Sequence, residues 1–205
     1  MISQVRALGF DALLSDDGST DNTILQAKSS GAEILTATQN QGKGAALRRG
    51  FDWFLEKNYT WLIVMDADGQ HNPSELSQFL KKINENNSEL IIGNRMQNPL
   101  GMPFVRRATN RILSHIISCI AKQTIPDSQC GYRAIKKEAL RKLKLHTSHF
   151  EIESEILLEA AAAGCHISSI TIGSVYEGAE SKISPLRDTM RFFKFIFSYL
   201  FKRRS

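Results

Sequence analysis

The sequence predicts an α/β architecture: a mostly parallel sheet flanked by helices, with one amphipathic helix at the C-terminus. Three observations lead there. Short apolar runs alternate with segments of helical spacing through the first half of the chain. One run, Trp61–Met65, is apolar without interruption, as in a strand covered on both faces. Two acidic clusters follow directly on such runs, where parallel α/β sheets bind ligands. A chain of 205 residues is ample for one core, burying roughly 70% of its unfolded surface.

The elements read in order. Ala12–Ser15 is a short apolar run ending in acid, a strand. Asp21–Ser30 is a helix stopped by Gly31, and Glu33–Ala37 a second strand. Gly42–Lys57 has helical spacing at Ala46, Phe51, Phe54 and Leu55. Trp61–Met65 reads as the central strand. Asn72 and Pro73 open a helix to about Asn84, since proline fits the first turn and asparagine caps it. Leu90–Ile92 is another strand. Helices follow at about Arg106–Ala121, Lys136–Leu143 and Phe150–Ala163, with a glycine-containing loop at Asp127–Tyr132. Cys165–Ile172 is a late strand. Repeated strand–helix units of this length imply parallel pairing. No repeat or low-complexity linker divides the chain, so residues 1–185 read as one domain and 186–205 as an appended helix.

Composition excludes several classes. With 42% hydrophobic and 23% charged residues the chain is neither disordered nor fibrous. The net charge of +5 is localised: Arg187, Arg191, Lys194, Lys202, Arg203 and Arg204 against Asp188 carry the whole excess. A balanced domain with a cationic tail is not a nucleic-acid surface. Cys119, Cys130 and Cys165 lack metal-ligand spacing and read as reduced thiols. Met1–Leu8 carries no long apolar core, so no secretory leader is expected. On a helix over Leu186–Arg204, Phe192, Phe193, Ile196, Phe197, Leu200 and Phe201 form one broad apolar face opposite a basic stripe. That pattern fits a core or dimer helix with a basic edge, but the terminal position and the Lys202-Arg203-Arg204 ending favour a helix lying on an anionic membrane surface. The membrane reading places the protein in the cytoplasm, peripheral on the inner face of the membrane.

Asp66-Ala67-Asp68-Gly69-Gln70-His71 is the sharpest chemical signal. With one residue between them, Asp66 and Asp68 can approach one point at a strand end, and Gln70 adds a third oxygen. Hard oxygen donors suit Mg²⁺ or Mn²⁺, with positions left for a diphosphate. Asp and Gly also favour plain turns. Asp16-Asp17-Gly18-Ser19-Thr20-Asp21 can contact a nucleotide, or simply cap the next helix. In Asn40-Gln41-Gly42-Lys43-Gly44 the glycines allow close backbone approach and Lys43 can meet a phosphate or base. It is not a Walker loop, because no Ser or Thr follows the Lys. Arg95 ends a strand, and Arg106 and Arg107 open a helix. All three suit phosphate binding if the metal site is real. The five histidines share no metal spacing.

Taken in order, these motifs resemble the inverting family 2 glycosyltransferases, in particular the dolichol-phosphate mannosyltransferase-like branch that acts on polyprenyl phosphates. Gly93-Asn94-Arg95, the segment Asp127-Ser128-Gln129-Cys130-Gly131-Tyr132-Arg133, Phe150-Glu151-Ile152-Glu153 and Ser181-Lys182 complete the sequence of motifs. The resemblance implies a GT-A type, Rossmann-like fold, a nucleotide-diphosphate sugar donor, a divalent cation and a lipid-phosphate acceptor. In this reading Asp66, Asp68 and Gln70 hold Mg²⁺ or Mn²⁺; Asp16, Asp17, Lys43 and Asp66 bind the nucleotide sugar. Arg95 orients phosphates, Arg106, Arg107 and Lys182 serve the acceptor, and Asp127 and Glu153 are candidate bases. Structural roles for both carboxylates compete, Asp127 bonding its loop and Glu153 lying on an exposed helix face. Family members usually open with a strand carrying Pro-x-Tyr-Asn-Glu; here Met1–Leu8 resembles the end of the helix after it, so the first strand is expected to be lacking, with a sheet edge left bare. A nucleotidyltransferase of similar fold, or an inactive remnant binding a membrane or partner, are the alternatives.

Overall fold

In the computed structural model the chain is described over residues 1–99, 101–173 and 185–202. The elements run α1 (Ile2–Ala7), β1 (Leu13–Asp16), α2 (Thr23–Ser29), β2 (Glu33–Thr36), α3 (Lys43–Glu56), β3 (Trp61–Val64), α4 (Leu76–Asn84), β4 (Leu90–Asn94), α5 (Phe104–Ala121), β5 (Arg133–Lys136), α6 (Lys137–Leu140), α7 (Ile152–Ala162), β6 (Ile167–Thr171) and α8 (Pro185–Lys202). A single 3-10 turn, Pro73–Glu75, precedes α4, and the Asn72 side chain accepts from the Ser74 N–H at its start.

The described strands form two sheets. β1 and β2 pair in parallel, and the other sheet has the order β3-β5-β4-β6. β4 and β6 are parallel, while β5 runs antiparallel to both β3 and β4. Three of the four strands of the larger sheet therefore share a direction. The Trp61–Met65 run was expected at the centre of the sheet; instead β3 lies at the edge and is only half-buried along its length. The strand buried at every residue is β4. β5 has no counterpart in the sequence reading, because Arg133–Lys136 begins and ends on a cation.

Alternation along the strands divides the core. Leu62 and Val64 of β3 pack with Leu90, Ile92 and Ile135 against α3, α5 and α7, including Phe54, Ile117 and Leu157. Trp61 and Ile63 turn the other way, with Ile91, Tyr132 and Ala134, onto Val5 of α1 and Leu76 and Phe79 of α4. Each fully buried large apolar side chain contributes about 1.5–3 kcal/mol. α7 is buried almost all round, its acidic residues Glu153 and Glu155 included.

The apolar face expected on the C-terminal helix is divided. Phe192, Ile196 and Tyr199 of α8 are buried in the main core, whereas Phe193, Phe197, Leu200 and Phe201 are exposed. Helical spacing sends these two sets in different directions from the axis. Among the described residues no helix is long and apolar enough to cross a membrane. Cys130 and Cys165 are buried thiols and Cys119 an exposed one.

Candidate active site

The end of β3 carries Asp66 into a cluster of alternating charge, half-buried at Asp66 and Lys43 and buried at Glu153 and Arg133. Lys43 Nζ lies 2.6 Å from Asp66 Oδ1 and 2.7 Å from Glu153 Oε1. Arg133 Nη2 lies 2.8 Å from Glu153 Oε2, and its Nη1 donates to the Glu153 carbonyl at 2.7 Å. Burial alone would lower the Lys43 pKa, but Glu153 and Asp66 outweigh it and hold the ammonium charged. Burial likewise pushes Asp66 upward, and Lys43 and then His71 outweigh it, leaving its carboxyl below the ordinary range.

Glu153 is therefore not on an exposed helix face. α7 presents it inward, and Glu155, two residues on and equally buried, accepts from the His146 and Thr147 backbone N–H groups and the Thr147 hydroxyl. The sequence motif Phe150–Glu153 carried no sign of Arg133, the cation that completes the cluster.

Two glycines make room for this arrangement. A Cβ on Gly131 would come within 2.5 Å of Asp66 Oδ2, so the 128–132 loop can lie directly against the carboxylate. A Cβ on Gly44 would meet the Thr147 carbonyl at 2.5 Å. The close approach inferred for the Gly42-Lys43-Gly44 turn is thus used by the protein's own 147–149 segment. The Gly44 N–H donates to the Ser148 carbonyl at 2.8 Å.

The acidic turn after β1 is also engaged internally. Asp16 Oδ2 accepts from the Gly18 and Ser19 N–H groups, both at 3.0 Å. Burial raises the Asp16 pKa, but the Ser19 and Gly18 bonds outweigh it and keep the carboxyl low. Asp17 reaches across to the start of α3, accepting from Gln41 N–H at 3.0 Å and Gly42 N–H at 2.7 Å. Arg49 donates to the Asp16 carbonyl at 2.9 Å. Asp17 thereby satisfies donors that a free helix end would offer to an anion.

Beside β4, Arg95 and Asp127 form a two-pronged buried pair: Nε to Oδ2 at 2.8 Å and Nη2 to Oδ1 at 2.9 Å. Asp127 also accepts from the Arg95 N–H at 3.1 Å and from Asn110 Nδ2 at 2.8 Å. Burial raises its pKa, yet Arg95 and Asn110 more than offset this and hold it low. A carboxylate so occupied is poorly placed to take a proton. Arg106 and Arg107 precede Asn110 on α5 by four and three residues, which puts them along the same side of the helix. Lys182 and Ser181 lie outside the described residues.

Of the expected metal donors, Asp68 is exposed and accepts the Gln70 N–H on its Oδ1 at 3.0 Å, while Gln70 is buried. A Cβ on the intervening Gly69 would meet nothing within 4 Å. No group of three or more His, Cys, Asp or Glu residues that could by itself hold a metal ion is found among the described residues. Two carboxylates at an open turn still fit Mg²⁺ or Mn²⁺ that takes its other ligands from phosphates and water. His71, which had no assigned role, accepts the Asp66 N–H on Nδ1 at 3.1 Å and stacks on Tyr132. Burial lowers its pKa, and the Nδ1 bond to the Asp66 N–H fixes the turn.

The model of the family described as "Glycosyl transferase family 2" matches residues 1–144. The chain belongs to that family. Family 2 relatives include glycosyltransferase AglJ of Haloferax volcanii, 29% identical over 92% of this chain and 62% of its own length. The undecaprenyl-phosphate mannosyltransferase of Micrococcus luteus is 30% identical over 85% of this chain and 76% of its own length. The polyprenol monophosphomannose synthase of Mycolicibacterium smegmatis is 34% identical over 65% of this chain and 53% of its own length. The chain thus spans little more than half of some relatives and about three quarters of others. The fold is of the GT-A type: glucosyl-3-phosphoglycerate synthase of Mycobacterium tuberculosis, crystallised with Mn²⁺, UDP and phosphoglyceric acid, superposes with a TM-score of 0.72, at 17% identity, over 98% of this chain and 73% of that one.

Proposed function

We propose that this family 2 protein transfers a glycosyl group, with inversion and with a divalent cation, from a nucleotide-diphosphate sugar to a polyprenyl phosphate. The observation that carries the proposal is the placement of Asp66: it follows a strand, is fixed by His71 and Gly131, and faces a half-buried ammonium beside an open turn. The named acceptors of relatives such as the undecaprenyl-phosphate mannosyltransferase support the lipid phosphate.

In this reading Asp66, Asp68 and Gln70 would hold Mg²⁺ or Mn²⁺, which would offset the charge developing on a departing nucleoside diphosphate. The chain's own residues do the rest. Lys43 supplies a second positive charge at the same carboxylate, able to turn from Asp66 toward a phosphate oxygen. Asp16 and Asp17 shape the nucleotide turn through the backbone they hold. Arg95, kept in one orientation by Asp127, and Arg106 and Arg107 on α5 orient phosphates of donor or acceptor. Asp127 is assigned here as a positioning carboxylate and not as a base. Glu153, held between Lys43 and Arg133, is a poor base for the same reason. A phosphate acceptor is already ionised near neutral pH and needs none. The exposed side of α8 lies on the cytoplasmic membrane surface where such an acceptor resides.

The test is product analysis with polyprenyl phosphate and nucleotide sugars in Mn²⁺. Release of nucleoside diphosphate with a glycosylated lipid supports the proposal. Release of pyrophosphate instead would show nucleotidyl transfer, and no turnover with any donor would count against both.

A further inference from the structure

We infer that Lys43 stands in for the divalent cation at Asp66, and that Glu153 is a positioning residue that takes over the Lys43 ammonium when the cation enters. The inference deepens the glycosyl-transfer reading and rests on its metal site. Both oxygens of Asp66 are engaged. Oδ2 lies against the 128–132 loop, where a Cβ on Gly131 would come within 2.5 Å of it. Oδ1 lies 2.6 Å from the Lys43 ammonium. A divalent cation held by Asp66 therefore meets a positive charge already at the carboxylate, and the two repel at this range. The Lys43 and Asp66 side chains keep 21% and 30% of their surface exposed, so an ion reaches the pair from solvent.

Glu153 is placed to receive the ammonium. Arg133 is fixed, because its guanidinium donates to the Cys130, Ser128 and Glu153 carbonyls at 2.8, 2.9 and 2.7 Å. That fixed cation holds Glu153 Oε2 at 2.8 Å. Oε1 is left for Lys43, 2.7 Å away, yet it is buried and accepts no aligned hydrogen bond among the described residues. A buried carboxylate oxygen in that position gains from a well-aligned donor. The ammonium released from Asp66 completes the bond by a small turn. The Lys43 backbone stays in place, since the Gly42 N–H donates to Asp17 at 2.7 Å and the Gly44 N–H to the Ser148 carbonyl at 2.8 Å. Only the side chain moves between the two carboxylates. Without Glu153 the ammonium would stay on Asp66 and compete harder with the cation. Metal alone is thus held weakly, and a nucleoside diphosphate raises its affinity by adding negative charge beside Lys43 and the cation.

The test is titration of Mn²⁺ alone into the full chain, read from the paramagnetic resonance of free Mn²⁺. The parent is compared with Lys43→Met, Glu153→Gln and Lys43→Met/Glu153→Gln. Melting temperature checks folding, and the double variant, which removes cation and carboxylate together, serves if Lys43→Met alone does not fold. The inference expects Lys43→Met and the double variant to bind Mn²⁺ about tenfold more tightly than the parent. Glu153→Gln is expected to weaken Mn²⁺ binding about fivefold in the parent and to change it little in the Lys43→Met background. Unchanged or weaker Mn²⁺ binding in both Lys43 variants, or an equal effect of Glu153→Gln with and without Lys43, would overturn it. The titrations are repeated with GDP and UDP. Variants that gain Mn²⁺ affinity as expected, beside a parent whose Mn²⁺ binding no nucleotide raises, would count against the glycosyl-transfer reading and leave the exchange of Lys43 between Asp66 and Glu153 standing.

Discussion

At the scale of single residues, the site is a set of charges that hold each other. Lys43 is the hinge of the set because Asp66 and Glu153 share its ammonium. Lys43→Met would leave the buried Glu153 carboxylate and the half-buried Asp66 carboxylate without their shared cation, at an expected cost of about 2–4 kcal/mol in urea denaturation at neutral pH. Adding Glu153→Gln should recover part of that loss, as a double-mutant cycle would read. Asp127 gives a pH signature. Its folded pKa is depressed, so its contribution is full above the unfolded value of about 3.9 and is lost as pH falls through the folded value. Asp127→Asn should cost about 3–5 kcal/mol at pH 7, and the gap to the parent should narrow as the pH falls below about 4. The roles of Asp16, Asp17 and Asp127 as hydrogen-bond acceptors to backbone were open in the sequence, since Asp16 and Asp17 read as nucleotide contacts or as caps, and Asp127 as a base or as a bond within its loop. Only partners far along the chain, such as Gly42 for Asp17, tell the two apart. Arg133 was illegible for a similar reason: a lone arginine gives no hint that a helix twenty residues on will bury its partner.

At the scale of elements, strand–helix alternation placed β1, β2, β3, β4 and β6 and nearly all the helices, because each has its own period or its own stop signal. β5 escaped because four residues flanked by cations show no alternation longer than one step. The position of β3 was misjudged because an unbroken apolar run signals cover on both faces, not neighbours on both edges; α1 and α3 supply the cover. The glycine-rich start of α3 yields a direct test. Gly44→Ala places a methyl against the Thr147 carbonyl, where backbone and not a flexible tip must move. It is expected to destabilise by about 1–3 kcal/mol in thermal melts and to raise hydrogen exchange across residues 147–149.

At the scale of the whole molecule, α8 ties the end of the chain to the core while keeping an apolar side outward. Ile196→Ala should cost about 2–5 kcal/mol in chemical denaturation, because the side chain is buried. Phe197→Ala should leave stability within about 0.5 kcal/mol and instead weaken vesicle binding. The helix was legible in the sequence as amphipathic; that two sides of it are apolar was hidden, because aromatic residues at neighbouring positions merge into one face on a helical projection.

The account turns on Asp66 as the anchor of a cation that grips a diphosphate. Calorimetric titration of GDP and UDP into the full chain, with and without Mn²⁺, comparing the parent with Asp66→Asn, tests it most directly. Metal-dependent nucleotide binding that falls by about a hundredfold in the variant is the expected result. Equal, metal-dependent binding by parent and variant would contradict it.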